Sequence, residues 1–235
     1  MKTIRRINLT ALIETLLLGG LGVMLLLKAG GGVLAYYIHP RYAPLVIAGA
    51  AVLLIIAAVR ARAIGVAGEP ARGRWSGYVL LLLPLLIGLF VPARPLGADA
   101  LPADTTVASG AGQGGIPLDG DTADWTLLQW GTALAIGGRD IQGATVDVTG
   151  FVYQNPQRSF PGFTVARYAI VCCIADVKGI GVPVAWPAGI ELPVNSWVRV
   201  RGTLGRTMIG GQETPAILPT TVEPVAQPVE PYLYR

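Results

Sequence analysis

Residues 9–27 read Leu-Thr-Ala-Leu-Ile-Glu-Thr-Leu-Leu-Leu-Gly-Gly-Leu-Gly-Val-Met-Leu-Leu-Leu. Only Thr10, Glu14 and Thr15 interrupt the apolar run. At 1.5 Å of rise per residue, a helix of this length covers about 28 Å, close to one hydrocarbon core. Two similar stretches follow. Ala43–Val59 carries no charge, and its Pro44 stands where a first-turn proline is tolerated. Trp75–Val91 has Trp75 and Tyr78 at one end and Pro92 and Pro95 closing the other; Pro84 in its middle predicts a kink that neighbouring helices accommodate. Residues 1–92 therefore read as a membrane α-helical anchor of three transmembrane helices.

Composition agrees. Of 235 residues, 52% are hydrophobic and 14% charged, and the mean hydropathy is +0.56. Soluble domains carry about 25% charge, so too few charges remain here to coat a water-facing surface. The same figures exclude a disordered chain. Two cysteines exclude a disulfide-stapled mini-protein or a cysteine-based zinc finger. The net charge of +4 hides a split between +7 over residues 1–92 and −3 over residues 93–235. Basic residues beside apolar segments are what membrane topology produces, so the expected partner is a lipid bilayer and not nucleic acid.

The same charges orient the chain. Arg5 and Arg6 precede the first helix, and Arg60, Arg62, Arg72 and Arg74 lie between the second and third. If all three stretches span, both groups fall on one side, which the positive-inside rule makes cytoplasmic. A multi-pass protein of the cell membrane results, its N-terminus cytoplasmic and residues 93–235 extracytoplasmic. The N-terminal run is too long for a secretory signal, and no small-x-small cleavage site follows it. Residues 29–38, with Gly30, Gly31 and Gly32, read as an interfacial loop with an aromatic belt at Tyr36, Tyr37, His39 and Tyr42, or as a re-entrant turn.

From residue 93 to 121 the composition shifts to Ala, Gly, Pro, Asp and Thr, as in a flexible linker. Residues 122–235 then form the second domain. Asp124–Ile136 has apolar residues at helical spacing. After it the period becomes two. Ala144–Tyr153 places Val146, Val148 and Val152 on one face and Asp147, Phe151 and Tyr153 on the other. Phe163–Ile174, Val182–Trp186, Trp197–Leu204 and Ala216–Val222 complete five short strands separated by Gly/Pro turns, which suggests a small all-β, OB-like barrel. Pro224–Pro231 cannot join a sheet centrally and is expected to lie extended over the surface.

The most specific stretch is Ala166-Arg-Tyr-Ala-Ile-Val-Cys-Cys-Ile-Ala-Asp176. Adjacent cysteines on a regular strand point to opposite faces and lack the two-ligand grip of Cys-x-x-Cys. Cys172 and Cys173 are read as two small buried hydrophobes, as a metal site with Asp176, or as a redox-active pair. Glu14 is the only acid within a predicted span. It reads as an intramembrane relay or partner contact, or as a near-interface carboxylate reaching water or Arg5 and Arg6. Arg199 and Arg201, with Trp197, form a solvated face paired to Asp147 across strands, or an anion or partner site. His39, the only histidine, cannot build a zinc site alone. No Ser-His-Asp set, paired carboxylates or phosphate-binding glycine loop can be assembled, so no enzyme and no nucleotide cofactor is expected.

Gly150-Phe-Val-Tyr153, Ala166-Arg-Tyr168 and the Cys-Cys-Ile-Ala-Asp run of 172–176 together resemble the YcgQ-type family of bacterial membrane proteins, as do His39-Pro-Arg41 and the Pro-Tyr-Leu-Tyr ending at 231–234. The resemblance covers the helices and the outer domain and omits the linker. The family is regarded as the smaller subunit of two-component membrane permeases, so the resemblance implies a larger multi-span permease partner and transport of a solute or ion. It carries over no catalytic residue. Candidate positions are Cys172, Cys173 and Asp176 for a metal or ligand; Glu14, His39 and Arg41 for an intramembrane or interfacial site; and Arg167, Phe151 and Tyr153 for a β-domain surface. An accessory permease subunit is the first expectation. A free-standing, membrane-tethered binder of a metal or small ligand is the second, and a membrane thiol oxidoreductase the third.

Overall fold

A computed structural model describes residues 8–66, 75–101, 115–137, 140–155 and 160–235. The chain divides into two compact units, residues 1–94 and 95–235. Arg5, Arg6, Arg72 and Arg74, and residues 102–114 of the expected linker, lie outside the described residues.

In the first unit, α1 spans Leu9–Gly30 and starts where the Asn8 side chain accepts the Ala11 N–H at 3.1 Å. It ends at the glycine triplet. Gly31 N–H bonds back to Leu27 O, and Gly32 takes the left-handed backbone (φ 71°) that a side chain would resist. Val33–Tyr36 and Pro40–Tyr42 are single 3-10 turns leading into α2, Ala43–Ala61. Residues 29–38 thus finish one helix and begin a short connection. α3 spans Trp75–Phe90 and continues through Pro84.

Small residues bring α1 and α2 together. A Cβ at Gly22 would meet Leu54 Cγ at 2.9 Å and Ala50 O at 3.1 Å, while Ala50 and Ala57 are buried. Around this seam the apolar side chains face outward: Leu16, Leu27, Leu45, Ile55 and Val59 are all exposed. Water does not stabilise such a surface, whereas lipid does. α1 and the segment Pro40–Ala61 are long and apolar enough to cross a membrane; α3 is shorter.

The second unit is a helix-capped β-barrel. Thr126 and Gln129 form a reciprocal capping box at the start of α4, Leu127–Ile136. The strands are β1 (Thr145–Tyr153), β2 (Phe163–Ile170), β3 (Lys178–Val184), β4 (Trp197–Ile209), β5 (Gln212–Pro224) and β6 (Tyr232–Tyr234). β1 pairs antiparallel with both β2 and β4, β2 with β3, and β4 with β5, while β3 meets β5 in parallel. The ring β1-β2-β3-β5-β4 therefore closes on itself. β6 adds in parallel to the end of β2.

The inward residues are those that alternation selects. Val146, Val148, Val152, Val198, Val200 and Leu204 lie in the central core, capped by Trp125, Leu128 and Trp130. The two tryptophans meet edge to face, 5.1 Å apart, and the Trp125 indole donates to Asp119 O at 3.0 Å.

Three expectations change. β4 and β5 are longer than read, 13 residues each, because the chain reverses at Gly210-Gly211, both at positive φ. Both described ends of the expected tether pack on the barrel. Leu96, Ala98 and Leu101 cover the outer face of β1 and β2, and Ile116 and Leu118 touch the core. For that reason Phe151 and Tyr153, expected as a surface, are buried instead, in a second cluster with Tyr168, Ile170 and Tyr232.

Candidate functional site

β2 stops at Ile170, four residues before the sequence suggests, and the reason is Asp176. Its Oδ1 accepts the Val171 N–H at 2.8 Å; its Oδ2 accepts those of Cys172 and Cys173 at 2.7 and 3.1 Å. A continuing strand would have donated these groups to a neighbour, so the carboxylate competes with the ladder and ends it. Ile174–Asp176 forms a 3-10 turn, with the Cys173 sulfur accepting the Asp176 N–H in return.

This turn overturns both the opposite-face argument and the buried-hydrophobe reading for the cysteines. Off the strand, parity no longer applies. Cys172 is exposed and Cys173 half-buried, both are free thiols, and their sulfurs lie 3.6 Å apart. The ligand atoms of Cys172, Cys173 and Asp176 all fall within 4.8 Å of one another.

The electrostatics follow from this crowding. The hydrogen bond to Asp176, then the one to Cys173, push the Cys172 thiol up to about 11 from an ordinary 9.0. Burial tends to raise the Asp176 carboxyl, but hydrogen bonds from the Cys172 thiol and the three backbone N–H groups outweigh it and hold the group down at about 2. Cys172 is thus a poor nucleophile at neutral pH, since the thiolate is the reactive form. A disulfide within the pair is also disfavoured. Consecutive Cα atoms across a trans peptide are about 3.8 Å apart, short of the roughly 4.4–6.8 Å that disulfides span. What the pair offers is two convergent sulfur donors beside a carboxylate.

The other candidates resolve differently. Arg167 donates to Pro231 O at 3.0 Å and to Glu230 O, and its guanidinium lies 5.6 Å from the Trp197 ring centre. Burial lowers its pKa, and these hydrogen bonds tie β2 to the segment that leads into β6. Asp147 accepts Arg199 through both oxygens at 2.7 Å and Arg201 at 3.1 Å, so the cross-strand pairing is present. Glu14 is buried and pairs with Arg60 of α2 at 3.3 Å, a partner not among those expected from sequence. His39 Nδ1 accepts the Arg41 N–H at 3.0 Å, and the Arg41 guanidinium lies 5.9 Å from the Tyr42 ring centre, a local cluster at the head of α2. Sequence reading missed Asn195 and Gly97, and gave Tyr232 no role beyond its place in the 231–234 motif. All three fasten residues 96–98 to the barrel: Asn195 Oδ1 accepts the Ala98 N–H, Tyr168 donates its hydroxyl to Gly97 O at 2.8 Å, and the Tyr232 hydroxyl accepts the Leu96 N–H at 2.8 Å. These contacts join residues more than sixty positions apart, and no local pattern announces them.

Residues 13–106 match the DUF1980 N-terminal domain and residues 127–235 the DUF1980 C-terminal domain. UPF0703 protein YcgQ of Bacillus subtilis (strain 168) is 27% identical over 95 residues, which is 40% of this chain and 33% of that protein. The chain belongs to the YcgQ-type family. The matched stretch spans about a third of the curated relative's length. The gap between the two domain matches, residues 107–126, overlaps the later part of the 93–121 stretch that composition reads as a linker. No solved structure matches the chain.

Proposed function

We propose that this chain is the accessory subunit of a two-component membrane permease. All three helices span the membrane, packed on a larger multi-span subunit, and an OB-like barrel on the extracytoplasmic side caps the transport path or delivers solute to it. One observation carries the reading: the helical unit is apolar on its outward faces, and its intramembrane acid is already paired to Arg60. A transport path needs polar groups within the membrane, so these helices suit packing against a path better than forming one. The strand order and the parallel β3–β5 pair favour the OB-like assignment. OB barrels bind oligonucleotides on the face of their second and third strands. Here Leu96, Ala98, Leu101 and Tyr232 cover the outer face at β2, which favours a solute or protein role.

The test is purification of the tagged protein from its own membranes in mild detergent, followed by mass spectrometry. A stoichiometric multi-span protein is the expected result. Recovery alone across several detergents would overturn the subunit reading and favour a free-standing tethered binder, to which the exposed thiol turn gives independent support.

A further inference from the structure

We propose that Cys172 and Cys173 together bind one thiophilic divalent cation of the zinc class, through both sulfurs, at a site open enough for the ion to be exchanged. Geometry comes first. A tetrahedral centre with metal–sulfur bonds of about 2.3 Å sets two sulfurs about 3.8 Å apart, and the two here are 3.6 Å apart. One ion therefore fits both sulfurs with little movement of either. The turn that holds them is fixed before any ion arrives, because the Asp176 carboxylate grips the backbone N–H groups of residues 171, 172 and 173.

Chemistry narrows the ion. Two sulfurs favour soft or borderline cations, whereas magnesium and calcium demand shells of oxygen. Asp176 adds negative charge beside the cation, its oxygen within 4.8 Å of both sulfurs. With Cys172 exposed, the remaining coordination positions open to water or to a donor from another protein. Closed four-ligand sites hold zinc structurally, while sites that keep open positions leave it reactive. On binding, two metal–sulfur bonds form, both thiol protons leave to solvent, and no electrons move. The inference concerns the barrel alone and stands whether or not a larger subunit exists.

The chain holds two cysteines, so any thiolate-to-metal signal reports on this pair. The full-length protein, reduced and in detergent micelles, is titrated with Co²⁺ and then Zn²⁺. The expected result is a sulfur-to-cobalt charge-transfer band that saturates at one ion per chain, is erased by Zn²⁺, and is weakened at least tenfold in apparent affinity by either Cys172→Ser or Cys173→Ser. Thermal unfolding of each variant, and of Cys172→Ala as a second replacement, confirms that the barrel is intact. Absence of the band in folded, reduced protein overturns the inference. So does saturation at half an ion per chain, or a band that survives unchanged in a single-cysteine variant.

Discussion

At the residue scale, Asp176 shapes both the backbone and the chemistry of the turn. Its carboxyl is held at about 2 against an ordinary 3.8, so the unfolded chain binds this proton more readily than the folded one. Its contribution to stability is complete above about pH 4 and is lost as the pH falls toward 2. Acid unfolding of the wild type against Asp176→Asn should show the two converging over that window; a constant difference across it would contradict the assignment. Cys172 shifts the other way, to about 11. Its alkylation should therefore be slower at pH 7 than that of an ordinary thiol and still be rising above pH 9, with Asp176→Asn accelerating it at neutral pH. A rate that levels off below pH 8.5 would contradict this. The motif around these residues is visible in the sequence, yet its geometry is not. Parity along a strand places neighbouring side chains correctly only while the strand lasts, and a carboxylate three residues beyond Cys173 ends it. Phe151 and Tyr153 fail as a surface for a related reason: alternation tells which face a residue is on, not what later covers that face.

At the element scale, the apolar helices and the alternating strands are legible because each carries its own period. α1, α2 and α3 begin where read, and the Val146/Val148/Val152 and Val198/Val200 faces point into the core as expected. Long-range covering is not legible, because it depends on pairings such as β2 with β6 that leave no local signature. Two substitutions probe the elements. Gly211, at φ 81°, turns the β4–β5 hairpin; Gly211→Ala should cost about 1–2 kcal/mol, read by chemical unfolding followed through tryptophan fluorescence. Between α1 and α2, Gly22→Leu should lower the unfolding temperature of the detergent-solubilised protein. Gly30→Ala should leave it unchanged, since a Cβ there meets nothing within 4 Å. Equal effects of the two would show that Gly22 is not a packing seam.

At the scale of the whole molecule, the split of charge and hydropathy seen in the sequence corresponds to two structural units, one wrapped in apolar side chains and one built as a barrel around its own core. The proposed role joins them: an anchor that packs on a larger subunit, and a barrel that presents a pair of thiols on the outer side of the membrane. Replacing residues 1–92 with an unrelated three-span anchor should abolish co-purification of a multi-span partner while leaving the cobalt signal of the barrel unchanged. Sidedness is the claim on which the proposed capping or delivery role depends, and the native cysteines report on it without any engineered residue. Intact cells, treated with chelator and then with a membrane-impermeant maleimide, should label Cys172 and Cys173 as completely as cells opened with detergent. Labelling confined to the opened cells would place the barrel on the cytoplasmic side and contradict the proposed arrangement.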